Sequence, residues 1–164
     1  MTFDTTAIRA YAVEKHGDQK YGTHPYIYHL DMVYEESLSH GLEPVVSAAS
    51  FLHDIIEDTG VTYEDLVKEF GSEELASLVY CVTDEPGKNR KERKAATYPK
   101  LKGSLNAIAL KLCDRISNIR ACRETGVTDL LSMYKKEQPE FEAQLKTHDH
   151  HPSLWAELDR LIKE

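Results

Sequence analysis

Residues 51–60 read "FLHDIIEDTG". One histidine and three acids fall within six consecutive positions, His53 to Asp58, interrupted only by two isoleucines. On a helix turning about 100° per residue, His53 and Glu57 share a face, and so do Asp54 and Asp58. Val45, Ala49, Leu52, Ile55 and Ile56 fall on the other side. The spacing predicts an amphipathic helix with an ordinary apolar stripe and an unusually charged polar face. The acids crowd its C-terminal end, where the helix dipole disfavours negative charge. No lysine or arginine stands one turn away to offset them. Two readings are open: a solvated acidic face, or a cation seat that relieves the repulsion.

The same chemistry recurs elsewhere. In "LNAIALKLCDRISNIRAC", residues 105–122, Ile108, Ala109, Leu112, Ile116 and Ile119 form one apolar side. Lys111, Asp114 and Asn118 share the opposite face, which is either plain surface or the lining of a pocket for a metal-bound phosphate. His29 follows "THPYIY"; alone it reads as a structural histidine. Taken together, His29, His53, Asp54 and Asp114 make a mixed nitrogen and oxygen donor set from three helices. Such sets suit manganese or iron, with zinc also compatible.

Bulk properties narrow the class. A chain of 164 residues with 41% hydrophobic content fits one domain, 1–164, with a real core. A net charge of -8 argues against a nucleic-acid partner, while leaving room for a local basic patch that takes a small anion. No apolar run approaches the roughly 20 residues of a membrane span, and the N-terminal stretch lacks the order of a secretory signal. Cys81, Cys113 and Cys122 are odd in number and form no close pair, as expected of reduced thiols in a cytoplasmic protein. A homo-oligomer is compatible with all of this.

The pattern predicts an all-α fold, a compact bundle. Helices are expected over residues 5–16 and 26–39, then from 43–44 up to Gly60 as one helix carrying the opening motif. "GDQKYGTHPY" reads as a loop. Thr62 with Asp65 predicts a capping box, and Ser72 and Ser104 predict further N-caps. A basic helix is expected over 90–98, broken by Pro99. A long helix over 105–123, ended near Gly126, and two more over 128–145 and 152–163 complete the bundle.

The order His29, His53-Asp54, Asp114 resembles the HD superfamily of metal-dependent phosphohydrolases. "HDIIEDT" is similar to the H-D-x-x-E-D motif of its RelA/SpoT-type alarmone hydrolases, and "ALKLCDRISNIR" to their D-R-x-x-N segment. "GDQKYGTHPYIYH" and "KERKAA" resemble a loop and a basic helix of the same family. The resemblance covers about residues 8–122, with 123–164 as a helical extension. It implies an HD-type fold in which His29, His53, Asp54 and Asp114 hold the metal. Glu57 and Asp58 are then the pair that positions and activates water. Lys20, Arg93, Lys94 and Asn118 are implied near the substrate, and Tyr134 matches a family tyrosine beside the nucleotide. The chain departs from the family at Lys20, where arginine is common, at Leu30, where proline is, and at Leu130, in place of an arginine.

The implied reaction removes pyrophosphate from the 3′ position of ppGpp or pppGpp, leaving GDP or GTP, in a stand-alone hydrolase. Manganese is the expected ion, with Fe²⁺, Zn²⁺ and Mg²⁺ as alternatives. A divalent ion polarises a phosphoryl oxygen and acidifies water. Lys20, Arg93, Lys94 and Lys111 counter the diphosphate charge, whereas Lys88 and Arg90 read as a solvated helix start. The alternative is an HD-type nucleotidase, phosphodiesterase or NADPH phosphatase. His16 and His24 read as structural or peripheral, and Trp155 and Leu158 as core or interface. "THDHHP", with His148, His150 and His151, reads as a loop rather than a metal site.

Overall fold

A computed structural model describes residues 2–147 and 149–164. Ten helical segments and one small hairpin make up the described chain: α1 (Thr5–His16), β1 (Lys20–Tyr21), β2 (His24–Pro25), α2 (Ile27–Ser39), α3 (Pro44–Ser50), α4 (Ile55–Asp58), α5 (Tyr63–Phe70), α6 (Glu73–Val82), α7 (Arg90–Lys102), α8 (Leu105–Thr125), α9 (Thr128–Leu145) and α10 (Pro152–Lys163). The fold is all-α, as the patterning predicts.

Most helix starts follow from single residues. The Asp4 carboxylate accepts from the Ala7 N–H, Ser72 from Leu75, Asn89 from Glu92 and Ser104 from Ala107. Thr62 and Asp65 form the reciprocal capping box. Gly71 and Gly126 end α5 and α8 in the left-handed conformation, at φ 65° and 72°.

Three expectations change. The helix from Pro44 does not continue to Gly60: residues 51–54 form tight turns between α3 and the single turn α4. The Ser50 carbonyl, which an unbroken helix would offer to the Asp54 N–H, lies 2.8 Å from His53 Nδ1. A side chain thus takes the place of a ladder bond. Pro99 does not break the basic helix. Leu101 is fully buried beyond it, and the Lys100 ammonium donates to the carbonyls of Thr83 (2.7 Å) and Tyr80 (3.1 Å), so packing outweighs the lost N–H. The expected loop around residues 20–25 carries the antiparallel pairs Lys20–Pro25 and Tyr21–His24.

The long helix α8 is the axle. Its apolar side chains Ile108, Ala109, Leu112, Ile116 and Ile119 are all buried, and α2, α3, α6, α7, α9 and α10 pack around it. Phe141 meets Trp155 in the core under α10, which settles Trp155 and Leu158 as core residues. Cys113 and Cys122 are buried and Cys81 half-buried, all as free thiols. No helix among the described residues is long and apolar enough to cross a membrane.

Candidate metal centre and phosphate cavity

Four side chains from α2, the 51–54 turn and α8 converge. His29 Nε2 lies 3.0 Å from Asp114 Oδ1 and 3.7 Å from Asp54 Oδ2. His53 Nε2 lies 3.1 Å from Asp54 Oδ2 and 3.2 Å from Asp114 Oδ1. His29, His53 and Asp114 each offer a donor atom within 4.8 Å of the others. Asp54 reaches both imidazoles from the side, and Tyr26 donates its hydroxyl to the same Oδ2 at 2.5 Å. On a regular helix adjacent residues diverge by about 100°; in the turn at 51–54, His53 Nε2 and Asp54 Oδ2 stand 3.1 Å apart.

The supporting contacts fix the ligand atoms. The Ser50 carbonyl accepts from His53 Nδ1, which leaves Nε2 as the free lone pair. His29 is held by ring packing: Tyr21 from the hairpin stacks on it at 4.6 Å and 11°. Asn118 donates to Asp114 Oδ1 at 3.1 Å and accepts from the Tyr21 hydroxyl at 2.7 Å.

Electrostatics tests whether a cation fits. Burial alone would lower the His53 imidazole, yet Asp54 and then Asp114 outweigh it and hold it well above its ordinary range. Burial alone would raise the Asp114 carboxyl, and His53 and His29 hold it far below. The cluster therefore has a strong appetite for positive charge. Separations of 3.0–3.7 Å are near the roughly 3 Å between neighbouring ligand atoms around an ion bound at about 2.1 Å. Two imidazole nitrogens and carboxylate oxygens suit a divalent first-row ion. His150 and His151 are not in this group. His151 Nε2 instead meets the Leu105 carbonyl at 2.8 Å, and His148 lies outside the described residues.

The cluster opens into a cavity of about 280 Å³. Glu57, Arg93, Lys94, Lys111, Asn118 and Tyr134 all line it. Burial raises the Glu57 carboxyl; the Asp84 N–H, donating at 2.5 Å, opposes this, and the Asp54 charge adds to it. Burial lowers the Lys111 ammonium, but Asp114, Asp84 and Glu57 outweigh it. Burial and then the Asp114 charge push the Tyr134 hydroxyl upward, so it stays a protonated donor. Two expected residues do not line the cavity. Asp58 is exposed and engaged by the Gln19 amide at 2.9 Å. Lys20 is exposed on β1.

Several residues that sequence reasoning passed over contribute. Arg90 is not a solvated helix start: it lines the cavity and pairs with Glu137 at 2.7 Å. Glu137 also receives Arg115 at 2.7 Å, and Asp84 clamps Lys94 at 2.8 Å. These pairs join different helices or a loop to a helix, so no local spacing announces them. Tyr26 carried a usable signal, because it stands three residues before His29 on the same helical face.

Comparison with known proteins agrees with this geometry. A guanosine-3′,5′-bis(diphosphate) 3′-pyrophosphohydrolase from Aquifex aeolicus is 40% identical over 119 residues, covering 68% of this chain and 17% of that protein. The Drosophila melanogaster enzyme of the same name, MESH1, is 38% identical over 76 residues, covering 46% of this chain and 42% of its own. The chain thus spans less than half the length of these relatives. A solved structure of a metazoan ortholog of SpoT, described as hydrolysing ppGpp, superposes with a TM-score of 0.80 at 25% identity, over 97% of this chain and 93% of the other. The HD domain pattern matches residues 6–140, from α1 into α9 and through every donor of the cluster, and the chain belongs to the HD domain family.

Proposed function

We propose that this chain is a divalent-metal-dependent hydrolase that removes pyrophosphate from the 3′ position of guanosine 3′,5′-bis(diphosphate) and its 5′-triphosphate counterpart. One observation carries the reading: the His/Asp donor cluster opens directly into a cavity that Arg93, Lys94 and Lys111 also line, with Lys111 Nζ 4.0 Å from Asp114 Oδ2. A metal seat and several basic side chains in one cavity suit a substrate that carries a chain of phosphates. Relatives that bear the name of this activity support it.

A divalent ion on His29, His53, Asp54 and Asp114, manganese by the mixed donor set, would polarise a phosphoryl oxygen and acidify a water. The protein supplies the rest. Glu57, its affinity for protons raised by its surroundings, takes a proton from the attacking water. The water oxygen bonds to the 3′ phosphorus, the bond from phosphorus to the 3′ oxygen breaks, and that oxygen leaves as a hydroxyl once protonated. Lys94, Arg93 and Lys111 balance the charge of the departing pyrophosphate. Asn118 holds Asp114 in place, and the Tyr134 hydroxyl donates into the cavity. Asp58, held by Gln19, and Lys20 lie outside the cavity and take no part in this reading. The domain spans 1–164 and acts on a small cytoplasmic nucleotide.

Incubation with ppGpp and Mn²⁺, followed by product analysis, tests this. The expected products are GDP and pyrophosphate in equal amounts, with none formed after chelation. Deoxynucleotides, cyclic nucleotides and NADPH serve as competitors. Cleavage of one of these with ppGpp untouched would move the chain to another HD chemistry.

A further inference from the structure

The loop at residues 83–89 is fastened along α7. The Glu85 N–H donates to Thr97 Oγ1 at 2.9 Å, and the Lys88 N–H to Glu92 Oε2 at 2.9 Å. Lys100 binds both Glu85 and the Thr83 carbonyl at 2.7 Å. Gly87 lies so close to α7 that an added Cβ would stand 2.9 Å from the Arg93 nitrogen, so only glycine lets the loop approach this far.

This fastening fixes Asp84 between two functional groups. Its backbone N–H donates to Glu57 Oε1, and both its carboxylate oxygens accept from Lys94 Nζ, at 2.8 and 3.1 Å. Both partners of that ion pair are largely buried, their side chains 14% and 13% exposed. Resting on the hydrolase reading above, we propose that Asp84 is a positioning residue that keeps Lys94 charged and aimed into the cavity to receive the phosphate chain.

Lys94 needs such a partner. Burial, then Lys111 from α8, work against its charge, and Arg90 on its own helix adds to them; Asp84 opposes all three, and the balance leaves the ammonium lowered to about 8. Arg93 also lines the cavity beside it. The other carboxylates facing this space are Glu57 from α4, Asp54 from the turn, Asp114 from α8 and Glu137 from α9. Among the described residues, Asp84 is the carboxylate that lies within ion-pairing distance of Lys94.

The test replaces Asp84 by asparagine, which keeps the shape and the N–H to Glu57 but removes the charge. Lysine ¹³C NMR, with Lys94→Arg to assign the signal, follows the Lys94 titration. Its midpoint is expected to fall by about one pH unit or more in Asp84→Asn and to return toward the parent value in Asp84→Glu. The pH profile of kcat/KM for ppGpp is read beside it. At pH 6.5 the two proteins should agree within about threefold, and at pH 8 the variant should fall behind about fivefold or more, mainly through KM. A purely structural role would depress the variant equally at both pH values, and that result, or an unmoved Lys94 midpoint, overturns the assignment. A parent inactive on ppGpp would defeat the hydrolase reading instead, and the Lys94 midpoint alone would then decide the role of Asp84.

Discussion

At the scale of single residues, the donor cluster divides into atoms that would hold an ion and atoms that hold those side chains in place. His53 combines a fixed tautomer with a free Nε2, so His53→Ala should lose metal outright. Metal analysis of purified protein checks this, and full occupancy in the variant would sink the ligand set. Tyr26 acts one step further out. Its hydroxyl, kept protonated by burial and by Asp54, restrains one carboxylate oxygen. Tyr26→Phe should keep the fold and weaken metal affinity by about 10-fold or more, measurable by competition with a chelating dye; unchanged affinity would reduce the tyrosine to packing. Glu57 is the residue at which metal binding and turnover are expected to part. Glu57→Gln should retain metal while kcat falls by about 10² to 10⁴, and turnover at the parent rate would show that the proton goes elsewhere. The candidate donors could be picked out of the chain because metal chemistry restricts the choice to histidines and acids, whereas the role expected of Glu57 came through the family resemblance. Lys94's partner could not be picked out, since Asp84 sits in a stretch, "DEPGKN", that reads only as a turn.

At the scale of elements, the start and stop residues were readable because they act on their nearest neighbours. Thr62, Ser72 and Ser104 cap where their side chains promise to. The end bounds of α1, α9 and α10 fall where periodicity puts them. The opening motif misled for a physical reason. Its apolar spacing fits a continuous helix, and nothing local in "SFLHDIIED" states that an imidazole will claim the Ser50 carbonyl. The break sets His53 and Asp54 beside His29 of α2 and Asp114 of α8, neighbours that no local pattern announces. Pro99 erred in the other direction: a strong local breaker is overruled by Leu101 and Lys100 anchoring the final turn. Gly126 shows the case where the local rule governs. It sits at φ 72° with open space around it, so Gly126→Ala meets no clash and only backbone strain. A loss of about 1 kcal/mol in denaturant unfolding is expected; a neutral result would mean the end of α8 relaxes freely.

At the scale of the whole molecule, the cavity is enclosed by helices distant in sequence, and one carboxylate ties three of them together. Glu137 on α9 accepts from Arg90 on α7 and from Arg115 on α8. Arg115 is buried and also binds Gln138 and the Tyr134 carbonyl while lying over the Phe141 ring at 4.2 Å. Burial alone would raise the Glu137 carboxyl, but the hydrogen bonds and charges of the two arginines outweigh it and lower it from 4.5 to about 2. The unfolded chain offers no such arginines, so its carboxyl titrates near the ordinary value. Between the two values the unfolded state binds the extra proton, and stability therefore rises with pH across that window. The contribution is present in full above about pH 5 and is lost as pH falls toward 2. Its size, from a lowering of this order, is about 3 kcal/mol. Other carboxylates titrate in the same range, Glu157 among them, so a single acid-unfolding curve cannot isolate Glu137. The difference between the parent and Glu137→Gln can, because every other acid cancels. Urea unfolding of both proteins at constant ionic strength should give a stability difference that is largest at pH 6 and shrinks steadily on acidification. A difference constant from pH 6 to pH 2.5 would mean that the charge on Glu137 does nothing that its shape does not, and that α7, α8 and α9 are held around the cavity by packing alone.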